Sequence, residues 1–237
     1  MQVSIFASAV RTQLWQSFYE SIKGTNQVDF EIIFAGPAVP DFPLPDGMRH
    51  IKTDVKPGQC FEIAARAATG EVLLQAVDDV IYSPGAIDMM YEAYSRESDV
   101  MITAHYAIDA VDYTAYQNLL GQPSDDFPLL PVCGMFSREL YHGLGGADRR
   151  FSAMQWELDM YMRMCFHGIR TVFVDAVCSE VTAVQQATPT GLRLGNTYWE
   201  GDRALILRLW TVNGVIGKVR IDGVQAYSDE NILTVSQ

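Results

Sequence analysis

Positive charge is scarce in this sequence. Of 237 residues, 17 are lysine or arginine and 29 are aspartate or glutamate, a formal net charge of -12. Such a chain as a whole repels nucleic acid and anionic membranes, while a local basic patch or a metal-held anionic ligand stays compatible with it. Cysteine is scarce too. Cys60, Cys133, Cys165 and Cys178 are scattered with no CxxC pair, which predicts free thiols in a reducing compartment. The four histidines (His50, His105, His142, His167) show no ligand spacing and read as structural. No apolar run reaches the roughly 18 residues of a membrane span. The opening "MQVSIFASAV" turns polar too early for a signal peptide. The expected location is therefore cytoplasmic. Internal repeats and low-complexity tracts are absent as well. What is plentiful is apolar: 49% of residues, enough for a sizeable core in one large α/β domain.

Periodicity places the elements. "VSIFASAV" (3–10) reads as a buried strand. "RTQLWQSFYESIKG" then carries Leu14, Phe18 and Ile22 on one helical stripe, ended by Gly24. "DFEIIFAGP" (29–37) is a second strand, so the chain opens β-α-β, a parallel pair with a right-handed crossover. "HIKTDV" is a short third strand, and "PGQCFEIAARAATG" a helix. "EVLLQAV" is a strand, followed by a helix in "SPGAIDMMYEAYSRES" with Ser83 as N-cap and Pro84 at its first position. "DVMITAHY" (99–106) and "IRTVFVDA" (169–176) are strands, and "SRELYHGLGG" and "MQWELDMYMRMCFHG" helices. In the less regular tail, "RALILRLWTVNGVIG" is expected as a helix.

Asp78 and Asp79 follow an apolar strand directly. In open α/β sheets ligands bind at the carboxyl ends of strands. Two adjacent carboxylates there offer oxygen ligands to Mg²⁺ or Mn²⁺, which in turn bridges to a diphosphate. A strand-ending Asp-Asp is also ordinary turn chemistry, and the pair alone leaves both readings open.

Four segments in order resemble family 2 glycosyltransferases of the GT-A fold. These are "VSIFASAVRTQLWQSFYESI…VDFEIIFAGP", "KPGQCFEIAARAATGEVLLQAVDDVIYSPGAIDMM", "CGMFSRELYHGLGGADRRF" and "WELDMYMRMCFHG", together covering about residues 2–176. The resemblance implies a mixed, mostly parallel sheet flanked by helices. It implies a GT-A core over 1–176, with a nucleotide-sugar and metal half (1–106) and an acceptor half (107–176). Residues 177–237 would be an extension or lid packing on that core. It also implies transfer of a sugar from a nucleotide-diphosphate sugar to an acceptor hydroxyl, with inversion and with Mn²⁺ or Mg²⁺.

Carried onto this sequence, the metal motif falls on Asp79 with Asp78 beside it, and Val80 stands at the usual third acidic position. Asp78 is also a donor-side candidate. Glu157 falls on the catalytic base, with Asp159 orienting it or binding acceptor. Trp156 and Asp148 fall on the acceptor side, with Gly145-Gly146 making a tight positive-φ turn. An ordinary amphipathic helix is the alternative for "WELDMYMR", and a plain turn for "GLGGAD". The second strand ends "FAGP" without the family's base-binding carboxylate, so base recognition passes to backbone at Gly36, or to Ser8 and Arg11. The family's metal-binding histidine is missing after 169–176, and Glu180 is the nearest replacement. Arg193 and Arg203 are candidates for a diphosphate clamp, with ordinary surface arginines as the favoured alternative for each. The competing expectation is a degenerate GT-A domain that binds nucleotide or glycan without turnover. A nucleotidyltransferase is disfavoured, because "SAVRTQ" lacks a glycine-rich phosphate cradle.

Overall fold

The computed structural model describes residues 1–97, 99–114, 129–181, 194–212, 215–216 and 219–233. β1 (Val3–Ser8), β2 (Phe30–Gly36), β3 (Met48–Lys52) and β4 (Val72–Gln75) pair in parallel, with β1 between β2 and β4. Helices α1 (Thr12–Lys23) and α2 (Pro57–Ala67) make the crossovers. The other half of the sheet holds β5 (Val80–Tyr82), β6 (Val100–Ile108), β7 (Val111–Asp112), β8 (Gly134–Ser137) and β9 (Arg170–Glu180). The order across the sheet is β3-β2-β1-β4-β8-β6-β9-β5, with β7 paired to β6. β8 is antiparallel to both β4 and β6, and β9 is parallel to β6. β6 and β9 therefore run with β1 to β4, and only β5, β7 and β8 are reversed. Helices α3 (Ala86–Arg96), α4 (Arg138–Gly143), α5 (Trp156–Phe166) and α6 (Leu194–Trp210) complete the layers. This is the mixed, mostly parallel α/β sheet that the motif order implies.

Aromatic side chains fill both interfaces of the sheet. On one side Trp15 and Phe18 of α1 meet Phe34 of β2 at 4.9 and 5.4 Å between ring centroids. On the other, Phe6 of β1 sits among Phe61, Phe136 and Tyr141. All but Phe61 are 2% exposed or less. Burial of each large side chain contributes about 1.5–3 kcal/mol. The stripe on α1 is rotated by one residue from the expected one. Trp15 joins Phe18 and Ile22 in the core, and Leu14 lies partly open, because the wider indole fills the space over β2.

Three other expectations shift. α3 begins at Ala86 after Gly85 in the left-handed region (φ 73°), so Ser83 and Pro84 lie outside the helix. Ser83 instead fastens to β9: its N–H donates to the Val177 carbonyl at 2.8 Å and its Oγ accepts from Val177 N–H at 2.9 Å. β9 extends to Glu180, beyond the predicted end at 176. Its register against β6 shifts between Ala104/His105, passing from Val174 to Val177. The extra residues bend the strand and allow Cys178–Glu180 to pair with both β6 and β5. In the tail the helix stops at Trp210, and a small hairpin of β10 (Thr211–Val212) and β11 (Val215–Ile216) follows. No described helix is long and apolar enough to cross a membrane.

Candidate active site

A cleft of about 440 Å³ opens at the carboxyl ends of β1 and β4. The chain leaves β1 for β2 on one side and returns through β4 on the other, so this is a topological switch point, where such sheets bind ligands. Ser8, Arg11, Asp78, Asp79, Trp156, Glu157 and Glu180 all line it. Seven residues spread over most of the sequence thus meet in one hollow. Gln75, Tyr106 and Cys60 join them.

Asp78 is almost fully buried, and its oxygens are filled from within the protein. Oδ2 accepts the backbone N–H groups of Val10 and Arg11, each at 2.6 Å, and Oδ1 accepts Arg11 Nη1 at 2.5 Å. It holds the loop between β1 and α1 and aims the Arg11 guanidinium. Its position in the cleft is that of a brace. Replacing Asp78 with Asn removes charge-assisted bonds while keeping the shape. Stability should fall by about 2–4 kcal/mol, read as a lower urea midpoint, and an unchanged midpoint would count against the brace.

Asp79 meets the same guanidinium more loosely, with Oδ2 at 3.4 Å from Arg11 Nη2. Glu180, delivered by the bent end of β9, accepts a hydrogen bond from the Tyr106 hydroxyl. Burial together with that bond to Glu180 pushes the Tyr106 phenol well above its usual range, so it stays protonated as a donor. Arg11 feels Asp78, Asp79 and Glu180 together. Three carboxylates around one guanidinium leave a surplus of negative charge. A diphosphate cannot approach that surplus unaided. Among the described residues no three metal-ligating side chains converge into a cage. Mg²⁺, however, commonly takes one or two carboxylates from the protein and completes its shell with phosphate oxygens and water. Asp79 and Glu180 fit that pattern; Asp78, already saturated, does not.

Glu157 lies in the first turn of α5, across the cleft. Its side chain is partly open to the hollow, but Oε2 is sealed from solvent and has no hydrogen-bond partner. Burial pushes its carboxyl up to about 7; backbone hydrogen bonds oppose the rise, and Asp202 adds to it. The residue that launches α5, Gln155, sits at φ 65°, in the left-handed region. A non-glycine residue there costs of order 1–3 kcal/mol. The preceding segment is pinned by Asp202 of α6, which accepts the N–H groups of Ser152, Ala153 and Met154 at 2.8 Å each. Ala153 and Met154 line the cleft. The tail thus anchors the loop that presents Glu157. Trp156, 2% exposed, packs on Phe61 at 4.7 Å between ring centroids and forms the wall beside it.

Other predicted site residues lie elsewhere. Asp159 and Asp148 do not line the cleft. Asp159 is fully buried and bonded to Trp210, Arg163 and Arg220. Asp148 binds Arg150 and Arg220. Both are core anions, and neither is placed to touch a ligand in the cleft. The neighbouring Gly145 and Gly146 do adopt positive φ, 88° and 65°. A Cβ on Gly146 would stand 2.5 Å from Glu62 Oε2, so that glycine makes room for a buried carboxylate. Gly36 has a packing reason as well: a Cβ there would meet the Ala9 carbonyl at 2.2 Å. The cleft is lined by its neighbour, Pro37. Ser8 is hydrogen-bonded with the Cys60 thiol, which burial pushes up to about 12. Cys60 and the other three cysteines are unpaired with one another as disulfides. Arg193 lies outside the described residues, and Arg203, on α6, is not among the cleft residues. Tyr106, Gln75 and Asp202 had no local signal. Asp202 reaches its partners across about fifty residues of sequence, and only the arrangement of α6 against α5 reveals it.

No family model matches the chain, and no curated protein matches it in sequence. Solved structures do. S. aureus TarS superposes with a TM-score of 0.59 at 11% identity, over 90% of this chain and 40% of that one. TarS 1–349 in complex with UDP gives 0.57 at 12% identity, over 76% of this chain and 60% of that one. GalNAc-T7 with UDP, GalNAc and Mn²⁺ gives 0.56 at 12% identity, over 76% and 44%. The chain therefore has the GT-A-type fold of these glycosyltransferases, and spans 40–60% of their length.

Proposed function

We propose that this protein transfers a sugar from a nucleotide-diphosphate sugar to an acceptor hydroxyl, with inversion at the anomeric carbon. Glu157 carries the reading: a carboxylate with one sealed, unpartnered oxygen and raised proton affinity, facing a cleft at the sheet's switch point. Those are the properties of a general base poised near neutral pH. The acceptor oxygen attacks the anomeric carbon on the face opposite the diphosphate. The carbon–oxygen bond to the diphosphate breaks, and its electron pair leaves on the phosphate oxygen. The acceptor proton passes to Glu157. Arg11, braced by Asp78, donates to the diphosphate from the β1–α1 loop. Asp79 and Glu180 would hold a divalent cation, Mn²⁺ or Mg²⁺, which when bound supplies charge neutralisation to the donor's diphosphate. That UDP and Mn²⁺ accompany structures of the same fold supports the donor class.

Calorimetric titration of nucleoside diphosphates, with Mn²⁺ or with EDTA, tests the reading. One nucleotide should bind with Mn²⁺ present and at least about tenfold more weakly in EDTA. Asp79→Asn should reproduce the EDTA result. No nucleotide binding under either condition would remove the donor site from this cleft. The pairing of Asp79 with Arg11, which competes with a cation for that carboxylate, favours one second reading, nucleotide binding without transfer. Consumption of donor that depends on Glu157 decides against it.

A further inference from the structure

Beside the cleft lies a second hollow of about 320 Å³, lined by Lys56, Gln59, Arg149, Arg150, Gln225, Tyr227 and Asn231. Its charges are unusual for a chain of net charge -12. Arg150 is neutralised by Asp148 and Asp222. Lys56 and Arg149 are not: among the described residues neither forms an ion pair, and the Lys56 ammonium donates to the Arg149 backbone carbonyl at 2.6 Å. Burial, and then the neighbouring Arg149, hold the Lys56 amine below its ordinary range; Asp202 and Asp148 pull the other way. Asp148 is itself taken up by Arg150 and Arg220. Two cations that form no ion pair among the described residues, one of them half-buried, therefore line one hollow.

The setting favours an anion further. Lys56 immediately precedes α2, an eleven-residue helix whose N-terminus adds positive potential. Gln225 and Asn231 bring amide groups to the rim. Tyr227, in the same wall, is 7% exposed, and its hydroxyl has no partner. The hollow also adjoins the transfer cleft through the chain itself. Pro57, next to Lys56, lines the cleft, as do Ala153 and Met154, a few residues beyond Arg149.

We propose that this hollow is a binding site for a phosphate-type anion carried by the acceptor, held by Lys56 and Arg149 at the rim of the transfer cleft. The anion chemistry stands on the unpaired cations alone; the word acceptor rests on the transferase reading. An acidic protein would thereby draw in an anionic acceptor through one local basic site, which the net charge by itself argued against.

The test is titration of inorganic phosphate and glycerol phosphate into the full chain by calorimetry, with the cleft filled by UDP and Mn²⁺ and again without them. Wild type should bind phosphate, more weakly as salt rises. Lys56→Met/Arg149→Met should weaken it at least about tenfold while nucleotide binding in the cleft stays unchanged. Arg149→Met alone, at an exposed position, keeps the fold and should give a smaller loss in the same direction. Vesicles of phosphatidylglycerol against phosphatidylcholine distinguish the source: cosedimentation abolished by the double substitution would place the phosphate on a lipid headgroup. Equal phosphate binding by wild type and double variant, or none by wild type, would overturn the site whatever the nucleotide result. Loss of nucleotide binding with phosphate binding intact would instead overturn the transferase reading and leave the anion site standing.

Discussion

Glu157→Gln should abolish transfer and make the protein more stable at the same time. The loss expected from removing a general base is about 10²–10⁴-fold in kcat. The gain has the same origin. The carboxyl is raised from 4.5 to about 7 in the folded protein, so the folded state holds its proton more tightly than the unfolded chain does. Its favourable contribution is complete below about pH 4.5 and is lost as pH rises through 7. Above that pH the wild type carries a largely buried charge that the neutral amide of the variant lacks, a difference of about 3 kcal/mol at most. The thermal midpoint of the variant should therefore exceed wild type at pH 8 and match it near pH 4. In wild type, kcat/KM should climb as pH rises through 7 and then level. A solvated helix residue would show neither effect. A variant that loses activity together with stability would assign Glu157 to the framework and end its role as base.

The second large effect belongs to the ion network under α5, and it should be almost wholly structural. Arg220 bridges Asp148 and Asp159 at 2.5 and 2.8 Å. Arg150 and Arg163 hold the outer sides at 2.7 and 3.0 Å, and Trp210 donates to Asp159 at 2.8 Å. Both carboxylates are buried without exposure of their side chains. Removing one acid leaves two buried guanidinium groups short of a partner, a loss of about 3–5 kcal/mol. Against a typical domain stability of about 5–15 kcal/mol, Asp148→Ala or Asp159→Ala should unfold a measurable fraction at 37 °C. Acid should do the same by degrees. Burial raises the Asp148 carboxyl, but bonds from Arg150, Gln225 and Arg220 outweigh it and hold it at about 2, below its ordinary 3.8. Its stabilisation is complete above about pH 4 and is lost as pH falls toward 2. Urea denaturation at a series of pH values measures both. If Asp159→Asn removed transfer and left the urea midpoint in place, Asp159 would be acting on substrate and the network assignment would fail.

These two acids show where sequence reading reached its limit. Glu157 and Asp159 stand two residues apart in "WELDMYMR", and both are acidic residues in the first turn of α5. Nothing local separates a residue facing the cleft from one facing the tail. Position two along a helix does exclude a shared face, so the sequence requires that they differ and is silent on which way each points. The distinction comes from α6 and the segment behind it, which place Trp210, Arg220 and Asp202 against α5 from far along the chain.

Asp78 and Asp79 divide in the same way. That two carboxylates follow a buried strand was legible in the sequence, because the apolar run "EVLLQAV" stops at Asp-Asp. The β-α-β opening and the helices and strands up to β4 were legible too, since those patterns are local and repeat within a few residues; the short strands β5, β7 and β8 were not, because two to four residues carry no period and form only against their neighbours. That Asp78 is spent on the β1–α1 loop while Asp79 and Glu180 face the same cleft was not legible there. That choice depends on which strand lies beside β4 and on the bend in β9 that delivers Glu180. Local sequence sets backbone preference; the pairing of distant carboxylates and cations is set by packing, in which each charge takes the partner that the other elements leave within reach.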